Sequence, residues 1–263
     1  MYQDIIYEKK GRLVVITINR VEKLNAMGNT TAREIMDSLK DADMDDEVRA
    51  IIITGAGRAF STGVDASEFV EMAKEKFKFY KGRKRTLEIY QLFKEVEETL
   101  KPTIAAVNGY ALGGGFELAL ACDMIVASEN AQFGFPEVTL AGIPGAGGTQ
   151  RLPRIIGNNR AKELIFTGKR ITAQEGYQLG FVNKVVKPEE LLNEATKLAD
   201  TIANNAPISI ILSKVAINKG TEMGMDYGLS YENDLSFLPY FTEDRDEGLK
   251  AFREKRKPEF KGR

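Results

Sequence analysis

Two carboxylates in this 263-residue chain stand in apolar company. Glu117 lies in "VNGYALGGGFELALACD" (107–123), where three consecutive glycines open an apolar run from Phe116 to Ala121 that reads as a helix. Glu137 lies in "AQFGFPEVTLAGIPGAGGTQRL" (131–152), in an extended turn after Pro136 and among Phe133, Phe135, Val138 and Leu140. A carboxyl group in apolar surroundings holds its proton more tightly than one in water and can act as a general acid near neutral pH. The chain contains no histidine. Ser-His-Asp and Cys-His arrangements, His-ligated zinc and His general bases are therefore excluded, and proton transfer near neutral pH falls to carboxylates ahead of tyrosine or lysine.

The glycines add a second kind of chemistry. A glycine triplet before a helix leaves free N–H groups at the positive end of the helix dipole and lets a ligand approach the backbone closely. Phosphate is one candidate ligand; a carbonyl oxygen that gains charge during reaction is another. No G-x-x-x-x-G-K-[ST] loop is present, and the first strand runs into "NRVEKLNAMGN" instead of a glycine fingerprint, so both nucleotide readings are weak. An oxyanion site needs a second donor, which "GRAFSTGVDASEF" (57–69) can supply: it follows a strand, places Gly63 in a turn and opens a helix through Asp65 and Glu68. Tight packing of helix on strand is the alternative use of the same glycines.

These stretches need elements to hold them. "RLVVITINR" (12–20), "RAIIITGAG" (49–57), "PTIAAVNG" (102–109), "DMIVAS" (123–128) and "FVNKVV" (181–186) are short, β-branched runs that predict buried strands. "TTAREIMDSLKDADMD" (30–45) and "RTLEIYQLFKEVEETLK" (85–101) repeat apolar residues at helical spacing, which gives α/β order. "TAQE" (172–175) predicts a capping box, with Gly180 as the stop. From Pro188 onward the pattern is helical, so the division is a core over 1–190 and a helical lobe over 191–263; no sequence repeat is evident.

Whole-chain totals exclude further classes. With 37 basic against 38 acidic residues there is no global attraction to nucleic acid or an anionic membrane. One cysteine, Cys122, rules out an intrachain disulfide and a multi-cysteine metal cluster and fits a reducing cytoplasm. No apolar run approaches the roughly 18 residues that span a bilayer, and "MYQDIIYEKKGR" has no signal-like core, so the expectation is a soluble, cytoplasmic protein.

Taken together, "VVITINRVEKLNAM", "AFSTGVD", "NGYALGGGFELALACD", "FGFPEVTLAGIPGAGGTQRLPR", "GFVNKVV" and "FREKRKPEF" resemble the crotonase superfamily, specifically its enoyl-CoA hydratases, over nearly the whole chain. The resemblance implies a spiral of strand-strand-helix turns and a helical C-terminal lobe that packs a homotrimer, often stacked as a hexamer. It implies reversible syn addition of water to a trans-2-enoyl-CoA in fatty acid β-oxidation, with Glu117 and Glu137 as the catalytic pair and the N–H groups of Val64 and Gly114 as the oxyanion hole. Coenzyme A, part of the substrate and the only cofactor-like group expected, is implied along Lys23, Ala26, Ser61, Asp65, Ala66 and Ser67, with Lys23 and Arg58 either near its phosphates or solvated surface charges; Phe69, Met72 and Phe77 fall in the segment that shapes the acyl pocket, ordinary packing at helical spacing being the alternative. No metal, nucleic acid or membrane partner is implied. Val21 and Phe135 depart from the usual pattern, the first altering a turn and the second making the acyl pocket more apolar. Rival readings are a Δ3,Δ2-enoyl-CoA isomerase, which commonly needs only the acid at Glu137, and a catalytically idle homologue that binds RNA or protein. Family members that rely on histidine or tryptophan do not fit, since the chain has neither.

Overall fold

The structure is a computed structural model and describes residues 2–65 and 79–263, with the backbone alone for 79–88. The chain starts with an antiparallel pair, β1 (Ile5–Lys10) and β2 (Leu13–Ile18), then α1 (Asn29–Met44). Next come β3 (Ala50–Gly55), β4 (Ala59–Ser61), α2 (Phe79–Glu98), β5 (Thr103–Val107), β6 (Tyr110–Leu112) and α3 (Gly114–Ala121). They are followed by β7 (Met124–Ser128), β8 (Gln132–Gly134), α4 (Gly148–Ile156), α5 (Asn158–Thr167), β9 (Arg170–Thr172), α6 (Ala173–Leu179) and β10 (Lys184–Val186). Among the described residues the strands form one six-stranded sheet, β1-β2-β3-β5-β7-β10, and one four-stranded sheet, β4-β6-β8-β9. Successive circuits of the chain add one strand to each: β3 then β4, β5 then β6, β7 then β8, and finally β9 then β10. That progression is a spiral, and the parallel pairing of β2 to β3, β5, β7 and β10 follows from it.

The five predicted strands are present with tighter bounds, and among the described residues five more appear. Of these, β4, β6, β8 and β9 have three residues each, too few to display a period of two. Alternation in the longer strands divides two cores. Val14, Ile16, Ile51, Ile53, Ala105 and Val107 face a core shared with Ile35 and Leu39 of α1, with Leu92 of α2 and with α3. Leu13, Val15, Ile52, Ile104 and Val126 face the other side, where Leu191, Ala195, Ala199 and Ala203 of α7 (Leu191–Ala203) cover them. Both faces being covered explains strands that read as continuous apolar runs.

The capping box forms as predicted: Thr172 accepts the Glu175 N–H while Glu175 accepts that of Thr172, and Gly180 stops α6 at φ +92°. Beyond α7, α8 (Pro207–Gly220) and α9 (Met225–Phe237) pack against each other, and neither has a fully buried residue. Lys214 anchors α8 to the core through Asp123, 2.8 Å away. α10 (Glu243–Glu254) ends the helical series, and Asp244 at its start accepts the N–H groups of Lys261 and Gly262. No helix among the described residues is long and apolar enough to cross a membrane.

Candidate active site

All eight residues of α3 are buried, Glu117 among them at 3% exposure. A helix apolar on every side belongs at the centre of a core. It gets there because its first glycines have no side chains: a Cβ on Gly115 would lie 2.0 Å from the Ser61 carbonyl oxygen, so the helix start rests directly on β4. Phe116 of α3 meets Phe133, Phe135 and Phe181 at ring separations of 5.2, 4.8 and 5.1 Å. Phe135 is thus fully buried in this aromatic cluster and stacks on Phe116, a core position and not the wall of an acyl pocket.

A buried carboxylate needs donors. Glu117 Oε1 accepts the N–H groups of Ala146 and Gly148, both at 2.8 Å, from the turn that opens α4. Burial raises the Glu117 pKa, while these two N–H groups and the nearby Arg151 cation pull in the opposite direction. The glycine-rich run "IPGAGG" (143–148) was the available signal for these partners, although its contact with Glu117 crosses some thirty residues of chain.

Glu137 sits in a short 3-10 helix, Pro136–Leu140, and not in an extended turn, with Pro136 supplying its first residue. Leu140, expected beside it in an apolar pocket, points outward at 83% exposure. Glu137 is half-buried, and its Oε2 is shielded without a hydrogen-bond partner among the described residues. Its pKa is pushed up to about 7, by burial first and then by the charge of Glu117. Gly113 separates the two acids: it is the residue before α3, at φ +53°, and a Cβ there would come within 3.0 Å of Glu137 Oε1.

Val64 and Gly114 meet beside this pair. Gly63 adopts φ +96°, and a Cβ on Gly114 would lie 3.5 Å from the Val64 nitrogen. Among the described residues neither of these two N–H groups donates to another backbone group, whereas three neighbouring N–H groups are taken: that of Gly63 by Ser61 Oγ, that of Asp65 by the Met27 carbonyl and that of Gly113 by the Gly134 carbonyl. Two adjacent unused donors next to two protonable acids can hold a carbonyl oxygen that becomes an oxyanion while protons move at neighbouring carbons.

The "EKLNAM" turn borders the site through a bridge between Met27 and Val64. Leu24 and Asn25 both take positive φ, and buried Asn25 secures the turn by donating to the carbonyls of Ala56 and Ala59 and accepting the Arg20 N–H. The Ala26 carbonyl accepts from the Arg20 guanidinium. Lys23 pairs with Asp65 at 2.8 Å, as Arg20 does at 3.0 Å, so Lys23 reaches a phosphate only by sharing or leaving Asp65. Ser61 is buried, with its hydroxyl engaged by the Gly63 N–H; Arg58 is exposed. Val21 starts a 3-10 turn and lies over Gly57. Ala66, Ser67, Phe69, Met72 and Phe77 lie outside the described residues, as does the helix expected at Glu68. Cys122 is buried, which pushes its thiol up to about 12 and leaves it unreactive at neutral pH.

The sequence model of the Enoyl-CoA hydratase/isomerase family matches residues 8–263. A short-chain-enoyl-CoA hydratase of Clostridium acetobutylicum is 46% identical, over 99% of this chain and 98% of its own. A 2,3-dehydroadipyl-CoA hydratase of Escherichia coli is 40% identical, over 99% of each. A crystal structure of an enoyl-CoA hydratase from Bacillus anthracis superposes with a TM-score of 0.93 at 42% identity, covering 99% of this chain and 100% of that one.

Proposed function

Because the chain belongs to the enoyl-CoA hydratase/isomerase family and is an enoyl-CoA hydratase, we propose that Glu117 and Glu137 together add water across a trans-2-enoyl-CoA. The observation that carries this reading is the inequality of the two acids around Gly113: Glu117 receives two N–H donors, which favour its ionised form, while Glu137 has an unpartnered buried oxygen and a pKa near 7, which favour its protonated form. Ionised Glu117 takes a proton from water as the water oxygen bonds to C3. Protonated Glu137 gives its proton to C2. The enolate-like charge that develops on the thioester oxygen is held by the N–H groups of Val64 and Gly114, and losing one such donor typically costs about 3 kcal/mol of transition-state stabilisation. A proton returned from Glu117 to Glu137 resets the pair, so the cycle closes without a cofactor beyond the coenzyme A of the substrate.

Coenzyme A is proposed to lie along Lys23, Ala26, Ser61 and Asp65 and the residues that follow. Assembly is proposed as a homotrimer or a dimer of trimers through the helical C-terminal segment, where Phe237, Leu238, Tyr240 and Phe241 are exposed in the single chain. A single cysteine, with no partner for an intrachain disulfide, is in keeping with a cytoplasmic setting.

The test is a pair of isosteric changes assayed for hydration of crotonyl-CoA and for isomerisation of a 3-enoyl-CoA. Glu117→Gln and Glu137→Gln should each lower kcat by roughly 10²-fold or more, and the double variant should lose far less than the product, since both groups act on one water. Crotonyl-CoA should still stabilise all of them against heat. Hydration that survives Glu117→Gln nearly intact would exclude this mechanism, and isomerisation that survives it while vanishing in Glu137→Gln would identify an isomerase.

A further inference from the structure

Behind the turn that holds Glu117 lies a cation. Arg151, in the first turns of α4, reaches back along its own helix start: one guanidinium nitrogen donates to the Ala146 carbonyl at 3.0 Å, and the other donates to Glu97 of α2 at 2.6 Å. Ala146 is the residue whose N–H holds Glu117, so its peptide units are gripped from both ends, by Glu117 on one side and Arg151 on the other. The approach depends on Gly147, whose φ is +117° and where a Cβ would stand 2.0 Å from an Arg151 nitrogen. Arg151 is largely buried, and its Nε has no partner among the described residues. A cation enclosed this way, with one anionic contact among the described residues, is costly as a mere structural strut.

We propose that Arg151 is a positioning residue for hydration: clamped by Glu97, it fixes the 144–148 turn so that the Ala146 and Gly148 N–H groups hold Glu117 in its ionised form at the reacting water. The inference rests on the role given above to Glu117. The charged and titratable groups around the pair are Glu137 on the substrate side and, behind Arg151, Glu97, Arg154, Asp123, Lys214 and the buried Cys122. Of these surroundings Arg151 is the cation that favours the Glu117 anion, and Glu97 partly neutralises it.

Three variants and one control test this. Arg151→Met should lower kcat for crotonyl-CoA hydration by roughly 10- to 100-fold, the scale of a displaced catalytic group, with KM changed little. It should also move the acid limb of the kcat profile to higher pH, because the anion loses its cation. Arg151→Lys should return the acid limb toward its wild-type position and recover part of kcat. Glu97→Ala, at a half-exposed site the fold tolerates, leaves the cation but frees its arm, so kcat should fall several-fold while the acid limb stays put or moves to lower pH. Wild-type kcat in Glu97→Ala, or a loss in Arg151→Met with no movement of the acid limb, overturns the proposal. If Arg151→Met does not fold, Arg151→Lys and Glu97→Ala decide the matter by the same criteria. The control is Glu117→Gln: normal hydration there overturns the role of Glu117 itself, whereas a dead Glu117→Gln beside an unaffected Arg151→Met overturns only the positioning role.

Discussion

Gly148 joins the packing of the core to the chemistry, and Gly148→Ala should disturb both. Its added Cβ would stand 2.7 and 2.8 Å from two ring carbons of Phe135 and 2.9 Å from the Pro144 Cβ. Phe135 cannot swing aside, because it is fully buried and stacked on Phe116. Overpacking of this kind costs about 1–3 kcal/mol. The strain moves a residue whose N–H donates to Glu117 at 2.8 Å, and a hydrogen bond to a charged group contributes about 1.5–3 kcal/mol, so losing half of it weakens the ionised form by roughly 3- to 13-fold. Gly148→Ala should therefore lower the urea midpoint, reduce kcat for crotonyl-CoA by about tenfold and shift the acid limb upward. Phe135→Leu removes the obstructing ring atoms. Alone it should destabilise by roughly 1–3 kcal/mol, less than the 3–5 of a Phe→Ala change. Combined with Gly148→Ala, it should recover about 1 kcal/mol or more relative to the sum of the single changes, within the range seen for touching residues, and kcat should rise with it. Wild-type stability and turnover in Gly148→Ala, or strict additivity in the double variant, would refute the reasoning.

In the proposed mechanism Glu137 works in its protonated form, so its pKa near 7 should set the alkaline limb: kcat/KM should decline as pH rises through about 7, and a profile flat from roughly pH 6 to pH 9 would contradict that role. The same raised value links pH to folding. Between 4.5 and about 7 the folded protein keeps a proton on Glu137 that the unfolded chain releases, so the unliganded protein should lose stability across that window, as pH-dependent denaturation can measure. Phe241, at 77% exposure, and Phe237 belong to the surface proposed to join subunits; changing both to Asp should reduce the mass seen by light scattering, and a wild-type chain already monomeric at micromolar concentration would remove the basis for assembly through this surface.

What could be read from the residues was local, and what could not was long-range or too short. The helix after Gly113–Gly115, the lone acid in its first turn and the capping box at Thr172 all follow from neighbours within one helical turn. The small sheet escaped because β4, β6, β8 and β9 offer three residues each and run on from preceding segments without a break in composition. The spiral likewise left no sequence repeat, since each circuit conserves only a strand for each sheet, which many apolar sequences can supply. Composition alone puts Phe135 and Leu140 in one pocket with Glu137. The 3-10 turn separates them, sending Phe135 into the core and Leu140 to the surface. Nor does sequence spacing pair Lys23 with Asp65, or Arg151 with Glu97, across 42 and 54 positions.

The mechanism proposed for the two glutamates gives one side-chain type two opposite roles, and the donors around them supply the difference. An isolated carboxylate at 3% exposure would simply neutralise, because ionising it away from water costs far more than holding a proton. Two backbone N–H groups and a nearby cation offset that tendency at Glu117 without cancelling it: its pKa stays above the usual range, which leaves the anion basic enough to accept a proton from water. Glu137 has no such donors on its buried oxygen, and the charge on Glu117 further disfavours its ionisation. Each acid thereby reinforces the other, since an ionised Glu117 holds the proton on Glu137 and a protonated Glu137 adds no competing charge beside Glu117. Without any histidine, the division between base and acid falls to the turn at 144–148 and the backbone around Gly113.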